Sequence, residues 1–324
     1  MIRIMYQNAK SYVQIGKEKA EYEVHRGVRQ GDVMSPTIFN LVMQMALNQI
    51  VWSGGIELED GGRRLTHLLY ADDLILMAND VAEAEANLEK VEKKLREMGL
   101  ELNKKKTKWM GSTGIDRDQS LGLGGESIER VAAFIYLGSE ISFPRNPESE
   151  VGARARMAWS TFQSWREVLT SPRTRLRLKQ KFYMTCLLPT ITYGAECWSL
   201  TVKARWKLIR TVRKMERMML GITWRDKRRS AEIRRRTGLK GASLVATEKK
   251  WNCAWKMLTA QDGRWIKKII MWIPPGKRPV GRPRLRWTDE FRKTIGHNWM
   301  ETQDPNTWQS GMRTYISSSE YNIF

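Results

Sequence analysis

Two adjacent carboxylates, Asp72 and Asp73, stand between two short apolar runs. The runs, residues 65–69 and 74–77, are each as long as an ordinary strand, so the sequence predicts a β-hairpin with both acids at its tip. Carboxylate oxygens suit hard divalent cations, which clamp phosphates during nucleotidyl transfer. Adjacent acids are also common at solvated turns, but the core-like flanks favour a site for hard divalent cations.

A glycine-containing loop precedes this hairpin. Gly27 and Gly31 permit a ligand to approach the backbone closely, and Gln30 can both donate and accept a hydrogen bond near a base or sugar. Without the acid pair, the same residues would be interpreted as an ordinary loop that leads into a capped helix. The loop is therefore a second candidate element of the site.

Helical patterns follow both candidate elements. Ser35 is a predicted N-cap, and Pro36 suits the first position of a helix that extends to about residue 52. Asp80, with Glu83 three residues later, has the form of a capping box for an amphipathic helix that ends at Gly99. Strand-like segments are predicted at 100–102, 107–110 and 133–141. The first 150 residues are therefore predicted to be α+β with an antiparallel sheet.

The remainder of the chain is helical by pattern. Apolar positions repeat at helical spacing between Pro and Gly breakers. The predicted helices span about 148–170, 173–187, 203–220 and 228–237. Seven of the fourteen tryptophans follow residue 250, and their rings are expected to form a core or, alternatively, to stack on bases.

Charge divides the chain near residue 150. Residues 1–150 carry 19 basic and 23 acidic residues, whereas residues 151–324 carry 37 basic and 12 acidic ones. Residues 203–250 alone hold 17 basic and 4 acidic residues. This density predicts an anionic polymer as partner, because neutralised phosphates release condensed counterions. A solvated basic face, or a nuclear-import segment at 225–236, is the alternative.

Several other classes are disfavoured. The three cysteines are too few and too scattered for a disulfide framework, and no Cys or His spacing suggests zinc. No apolar run reaches the length of about 18 residues that a membrane span needs, and the N-terminus lacks the layout of a signal peptide. His25, His67 and His297 show no partner spacing and are expected to be structural. We therefore expect a soluble intracellular protein, nuclear or cytoplasmic, with no membrane partner.

Four motifs follow one another along the chain. They are the loop 27–36 with Phe39-Asn40-Leu41, the segment Tyr70-Ala71-Asp72-Asp73, residues 99–108, and Tyr136-Leu137-Gly138. Their order resembles that in reverse transcriptases of non-LTR (LINE-type) retrotransposons, and residues 187–198 and 281–289 resemble the thumb and C-terminal segments of such elements. The resemblance covers nearly the whole chain. It implies an RNA-directed DNA polymerase whose partners are an RNA template and a DNA primer or target, and whose cofactor is Mg²⁺ (or Mn²⁺) if the site is catalytically complete.

The resemblance implies roles for individual residues. Asp72 would be a metal-binding carboxylate of the polymerase palm, Asp73 its less directly ligating neighbour, and Tyr70 a packing residue beside the primer end. The incoming nucleotide and the template would lie near Gly27, Gln30, Gly31 and Ser35. Lys106 would lie near the departing pyrophosphate, although three consecutive lysines leave that choice open.

The resemblance also implies a domain plan. Residues 1–150 would form a partial palm, 151–249 a helical thumb or connection, and 250–324 a helical, Trp-rich basic region. In the family, a further Asp on a strand before the glycine loop supplies an essential metal ligand, and this chain begins after that strand. Asp32 cannot replace it because it lies within the loop. We therefore expect a 5′-truncated element that lacks the fingers and does not polymerise DNA by itself.

Nucleic-acid contacts are expected in the basic half. The candidates are Arg228, Arg229, Arg234, Arg235, Arg236, Arg282 and Arg284. The tripeptide Gly281-Arg282-Pro283 also resembles the core of minor-groove binders, in which an extended arginine enters a narrow A·T groove. Two other functions stay open: a non-catalytic nucleic-acid-binding protein derived from such an element, and a different two-metal phosphoryl-transfer enzyme. Template preference, target site and oligomeric state are also left open by the sequence.

Overall fold

Short strand pairs alternate with helices up to residue 142, and helices follow. The computed structural model describes residues 6–7, 9–24, 27–58, 62, 64–112, 118–261, 265–272, 281 and 285–321. Two compact units are present: the first takes residues 1–57, 63–109 and 115–130, and the second takes 58–62, 110–114 and 131–324. The fold is α+β, as predicted. Among the helices of the described residues, none combines the length and the apolar character needed to cross a bilayer.

The strands form small separate sheets. In chain order they are β1 (Lys10–Ile15), β2 (Glu18–Glu23), β3 (Ile56–Glu57), β4 (Arg64–Leu65), β5 (His67–Tyr70), β6 (Asp73–Leu76), β7 (Lys108–Trp109), β8 (Leu121–Leu123), β9 (Glu126–Arg130), β10 (Ala133–Tyr136) and β11 (Ser139–Ser142). Neighbours in sequence pair antiparallel as β1–β2, β3–β4, β5–β6 and β10–β11. Strand β9 pairs antiparallel with β8 and parallel with β7. The predicted antiparallel sheet is thus a set of hairpins and one mixed sheet within the described residues.

One predicted strand is wrong. Residues 100–102 do not pair with a strand. The side chains of Leu100 and Leu102 pack instead against the core of the first unit. The segment predicted at 107–110 contains β7, and the segment at 133–141 is the β10–β11 hairpin, which turns at Leu137 and Gly138.

The helices agree with the pattern closely. In chain order they are α1 (Ser35–Asn48), α2 (Val81–Glu97), α3 (Pro147–Ser164), α4 (Arg166–Thr170), α5 (Leu176–Phe182), α6 (Leu188–Ile191), α7 (Val202–Leu220), α8 (Ser230–Thr237), α9 (Ala242–Leu258), α10 (Trp265–Met271), α11 (Asp289–Thr294) and α12 (Pro305–Tyr321). The predicted helix at 148–170 breaks at Trp165, and a π-helical turn, Tyr183–Leu187, joins α5 to α6. Pro189 does not end this run, since helical backbone continues through it to Ile191.

The core of the first unit positions the acid-bearing hairpin. Helices α1 and α2 contribute the buried residues Met43, Ala46, Leu47, Val91 and Leu95, together with Ile50 just after α1. Leu69, Leu74 and Leu76 of β5 and β6 pack against this cluster. The hairpin therefore lies on a hydrophobic base that both helices build, and only its tip projects.

The second unit contains two hydrophobic clusters. Helices α3 and α7 contribute to the larger one, which includes Phe162, Leu208 and Met215. The smaller one is aromatic, with Trp251, Phe291, Trp299 and Trp308 all buried. Helix α9 runs without a break through residue 250 and supplies Ala246 to the first cluster and Trp251 to the second. For these tryptophans the core interpretation is confirmed, because a ring that is fully buried cannot stack on a base.

Candidate functional site

The β5–β6 hairpin has the shortest common turn. Tyr70 pairs with Asp73 across the ladder, so Ala71 and Asp72 form a two-residue connection. Ala71 has φ +52°, the left-handed conformation that such turns require. The predicted hairpin is confirmed, with Asp72 in the turn itself and Asp73 as the first residue of β6.

Alternation along the two strands separates a core face from an exposed face. Leu69 and Leu74 are directly opposite each other and face the core, so the next pair, Tyr70 and Asp73, faces the other way. Tyr70 is 64% exposed, and both Asp72 and Asp73 are exposed. The register thus places a tyrosine and two carboxylates on accessible surface at one end of the hairpin.

The acid pair supplies only part of a two-metal site. Carboxylate oxygens are the donors that Mg²⁺ and Mn²⁺ prefer. Within the described part of the chain, however, no third Asp, Glu, His or Cys lies close enough to complete a metal-binding group. These residues therefore do not by themselves fit a two-metal centre.

The glycine loop is tied to the start of α1. Gly27 and Gly31 have φ +94° and +87°, which side-chain-bearing residues rarely adopt. The Ser35 hydroxyl donates a hydrogen bond to the carbonyl of Arg29, and the Tyr6 hydroxyl lies 3.2 Å from the Ser35 hydroxyl oxygen. The bonded Ser35 is buried, and Gln30 is exposed.

Ser35 is not the N-cap that the sequence predicts. It is the first residue of α1, and the preceding Met34 makes no side-chain cap. The Ser35 hydroxyl donates across the loop to the Arg29 carbonyl, while the Asp32 carboxylate accepts from the Met34 N–H at 3.1 Å. Ser35 therefore holds the loop and has no hydroxyl proton left for a nucleotide in this arrangement. Tyr6, which the sequence patterns did not indicate, has its hydroxyl within 3.4 Å of the Asp32 carboxylate.

No hydrogen bond or ion pair joins this loop to the Asp72 hairpin among the described residues. Both belong to the first unit, and α1 links them, because its residues support the hairpin and its first turn holds the loop.

His67, at the start of β5, stacks on Trp52 with ring centroids 4.4 Å apart, and burial lowers the pKa of His67. It has the structural role that was expected.

The structure distinguishes among the three consecutive lysines. The Lys104 ammonium lies 3.3 Å from the Glu126 carboxylate and 3.7 Å from that of Glu92. Lys105 and Lys106 are exposed, and the Lys106 N–H donates to the Asn103 side chain at 3.1 Å in a turn. Neither Lys105 nor Lys106 forms an ion pair with another described residue, whereas Lys104 is already paired, so the choice between Lys105 and Lys106 stays open.

The predicted basic contacts are not equivalent. Arg228, Arg229, Arg235 and Arg236 are exposed. Arg234 is half-buried, and its Nε lies 3.6 Å from the carboxylate of the buried Glu216, whose pKa burial raises. Two further candidates, Arg282 and Arg284, lie outside the described residues, as does the rest of the Gly-Arg-Pro segment beyond Gly281.

Comparison with known proteins agrees with the motif order. The reverse transcriptase (RNA-dependent DNA polymerase) family matches residues 2–141. A transposon-derived protein of Caenorhabditis elegans is 31% identical over 243 residues, which are 72% of this chain and 86% of that protein. No solved structure matches the chain.

Retrotransposon polyproteins match over shorter stretches. The Pol polyprotein of the type-1 retrotransposable element R2 from Nasonia vitripennis is 36% identical over 103 residues, 32% of this chain. That of the type-2 element R2DM from Drosophila melanogaster is 30% identical over 154 residues, 43% of this chain. The matched stretches are 10% and 14% of those polyproteins.

The reverse transcriptase family model covers the hairpin that displays the two acids. With these relatives, the chain belongs to the reverse-transcriptase family of non-LTR retrotransposons.

Proposed function

We propose that this polypeptide binds an RNA template and a DNA primer and, by itself, does not extend the primer. In this proposal the first unit is palm-like and the helices after residue 150 act as a thumb. The exposed hairpin tip that displays Tyr70, Asp72 and Asp73 is the observation that carries the proposal. Family membership supplies the substrate class.

The hairpin would offer the primer end a metal-binding carboxylate. Asp72 would be the first ligand of Mg²⁺ or Mn²⁺, Asp73 its neighbour, and Tyr70 would contact the primer end. Gly27, Gln30 and Gly31 would lie along the nucleotide and template, with Ser35 holding that loop in shape, and Lys106 would meet the pyrophosphate.

Inactivity of the isolated polypeptide follows from the donor set. A two-metal centre needs acidic oxygens from a second element to hold the ions about 4 Å apart, and within the described residues no third candidate ligand joins Asp72 and Asp73. Without a bridging ligand, the charge that develops in the transition state is poorly stabilised.

A primer-extension assay tests this proposal. We expect the polypeptide to bind a primed RNA template, with affinity that falls steeply as salt is raised, and to incorporate no nucleotide with Mg²⁺ or Mn²⁺. The variant Asp72→Asn removes one charge from an exposed turn and should bind equally well. Incorporation by the unmodified polypeptide that Asp72→Asn abolishes would show that the chain completes its own metal site.

A non-catalytic role in the cell is the second candidate. The excess of 25 positive charges after residue 150 favours it, because binding to RNA or DNA needs no metal site. A longer form of the protein that carries an additional upstream acid discriminates between the two: polymerisation by that form supports the enzyme, and binding without polymerisation supports the non-catalytic role.

A further inference from the structure

The loop between α7 and α8 borders an open cavity, and two of the predicted nucleic-acid contacts, Arg228 and Arg229, line it. Its volume is about 420 Å³, within the usual range for small-ligand sites. The lining residues are Arg217, Trp224, Lys227, Arg228, Arg229 and Ser230. Four of these six side chains are basic, so a ligand that fits the cavity carries negative charge.

Trp224 differs from the buried tryptophans of the same unit. It is 81% exposed and belongs to neither hydrophobic cluster of the second unit. The guanidinium of Arg225 lies 5.6 Å from its ring centroid, which adds a further cation beside the indole. Trp224 thus presents a flat aromatic surface to solvent among positive charges, which is the combination that stacks a nucleobase and attracts its phosphates.

The cations around the ring are available to a ligand. Arg217 Nη2 lies 3.3 Å from the carbonyl of Arg228 and 3.4 Å from the Ser230 hydroxyl, contacts that fix its position in the cavity wall. Lys227 and Arg229 are exposed, and neither forms an ion pair with another of the described residues. Arg228 forms an exposed ion pair with Glu232, with 3.1 Å between Nη1 and Oε1. A phosphate can displace such a surface ion pair because it is weak.

The acid in this loop is already engaged. Asp226 accepts from the Thr223 N–H at 2.6 Å and from the Thr223 hydroxyl at 2.8 Å, and these hydrogen bonds hold its pKa below the usual value. This turn is followed by Lys227 with φ +48°, a conformation that lysine rarely adopts and that occurs more often where a loop is shaped for a ligand.

We propose that this cavity binds one nucleotide of a single-stranded nucleic acid, with the base stacked on Trp224 and the phosphates against Lys227, Arg228 and Arg229. The inference rests on the proposed function, in which the basic unit binds nucleic acid. It adds that the bound strand is single and that Trp224 contacts a base. Single strands are required because a duplex keeps its base faces stacked internally. RNA and DNA share this chemistry, since neither stacking nor phosphate contact needs the 2′ hydroxyl.

Binding of fluorescently labelled ten-nucleotide strands to the full chain tests the proposal. Anisotropy is measured with single-stranded RNA, single-stranded DNA of the same sequence, and the matching duplex. Trp224→Ala should weaken binding of the single strands by about 5- to 100-fold, the range for losing one stacked base, and change duplex binding less than about twofold. Trp224→Phe retains a ring and should restore most of the affinity. A loss for RNA alone would identify the RNA strand as the occupant, and equal losses for RNA and DNA would support recognition of either.

A second exposed tryptophan provides the matched control. Trp165 is 51% exposed in the same unit and rests against Phe182, with ring centroids 5.4 Å apart. Trp165→Ala should bind both single strands as the unmodified chain does. Equal losses from Trp165→Ala and Trp224→Ala, or equal losses for single strands and duplex, would overturn the assignment of a base to Trp224.

Photocrosslinking locates the contact independently of affinity. A single strand that contains 4-thiouridine is irradiated with the chain and digested with trypsin, and adducts are expected on the peptide Met218–Arg225, which carries Trp224. Adducts confined to other peptides would refute the site. If Trp224→Ala leaves single-strand binding unchanged while the chain still binds with steep salt dependence, this inference fails and the proposed function stands. If the unmodified chain binds no nucleic acid, the proposed function itself fails.

Discussion

At the scale of single residues, the turn that displays Asp72 depends on an alanine in an unfavourable conformation. Ala71 has φ +52°, where Cβ crowds the following carbonyl oxygen. Asn or Gly would be the ordinary choices at this position of a two-residue hairpin turn. The hairpin keeps this geometry because Leu69, Leu74 and Leu76 fix both strands on the core.

Replacing Ala71 by glycine should therefore stabilise the protein. Removing the Cβ relieves the left-handed strain, and the expected gain is about 1 kcal/mol in the free energy of unfolding. Ala71→Val adds a β-branch to the same backbone and should destabilise it. Urea denaturation of the three proteins measures both changes, and a lower midpoint for Ala71→Gly than for the unmodified chain would contradict the explanation.

At the scale of elements, α2 connects the hairpin to the rest of the first unit. Its face carries Val91 and Leu95 into the cluster beneath the hairpin and Leu88 into a second cluster with Leu121 and Ile128. Asp80 caps this helix by accepting from the Glu83 N–H at 2.8 Å, as predicted. The Glu83 carboxylate does not complete the expected capping box, because it accepts from the Gly55 N–H at 2.7 Å.

Removal of the Asp80 cap should cost measurable stability. Asp80→Ala leaves the first N–H groups of α2 without their side-chain acceptor, and we expect a loss of about 1 kcal/mol. Asp80→Asn keeps an acceptor oxygen and should lie within a few tenths of a kcal/mol of the unmodified protein. Equal stability of the alanine and asparagine variants, measured by urea unfolding followed by circular dichroism, would show that the cap contributes nothing.

At the scale of the whole molecule, the second unit combines a basic surface with a charged pair in its aromatic core. Lys250 and Glu290 are each about 97% buried, and their Nζ and Oε1 atoms are 3.1 Å apart. The ammonium lies 5.4 Å from the Trp287 ring, and desolvation lowers its pKa. Such a pair joins α9 to α11 with defined geometry, although its net stabilisation is small because both charges leave water.

Breaking this pair on one side should be severe. Lys250→Met leaves the Glu290 carboxylate buried without its partner, and the expected loss is about 3–5 kcal/mol. The double variant Lys250→Met with Glu290→Met removes both charges and should recover most of that loss. Thermal unfolding of the single and double variants provides the comparison, and a double variant as unstable as the single one would mean that packing, not charge, explains the effect.

The sequence by itself determined the features that depend on neighbouring residues. The order of the motifs identified the family, apolar runs on both sides of residues 70–73 predicted the hairpin, and Asp80 marked the start of α2. These predictions succeed because turn conformation, strand alternation and helix capping are decided within a few residues along the chain.

The tertiary structure decided which side chains are available. It paired Lys104 and exposed Lys106, turned Arg234 towards the buried Glu216, and buried Trp251 while exposing Trp224. No local pattern separates these cases, since an ion pair or a buried ring depends on residues brought together from distant parts of the chain. The motif series that contains Asp72 and Asp73 therefore reveals the family from sequence, whereas the exposure and pairing of each cation and ring are decided only by the fold.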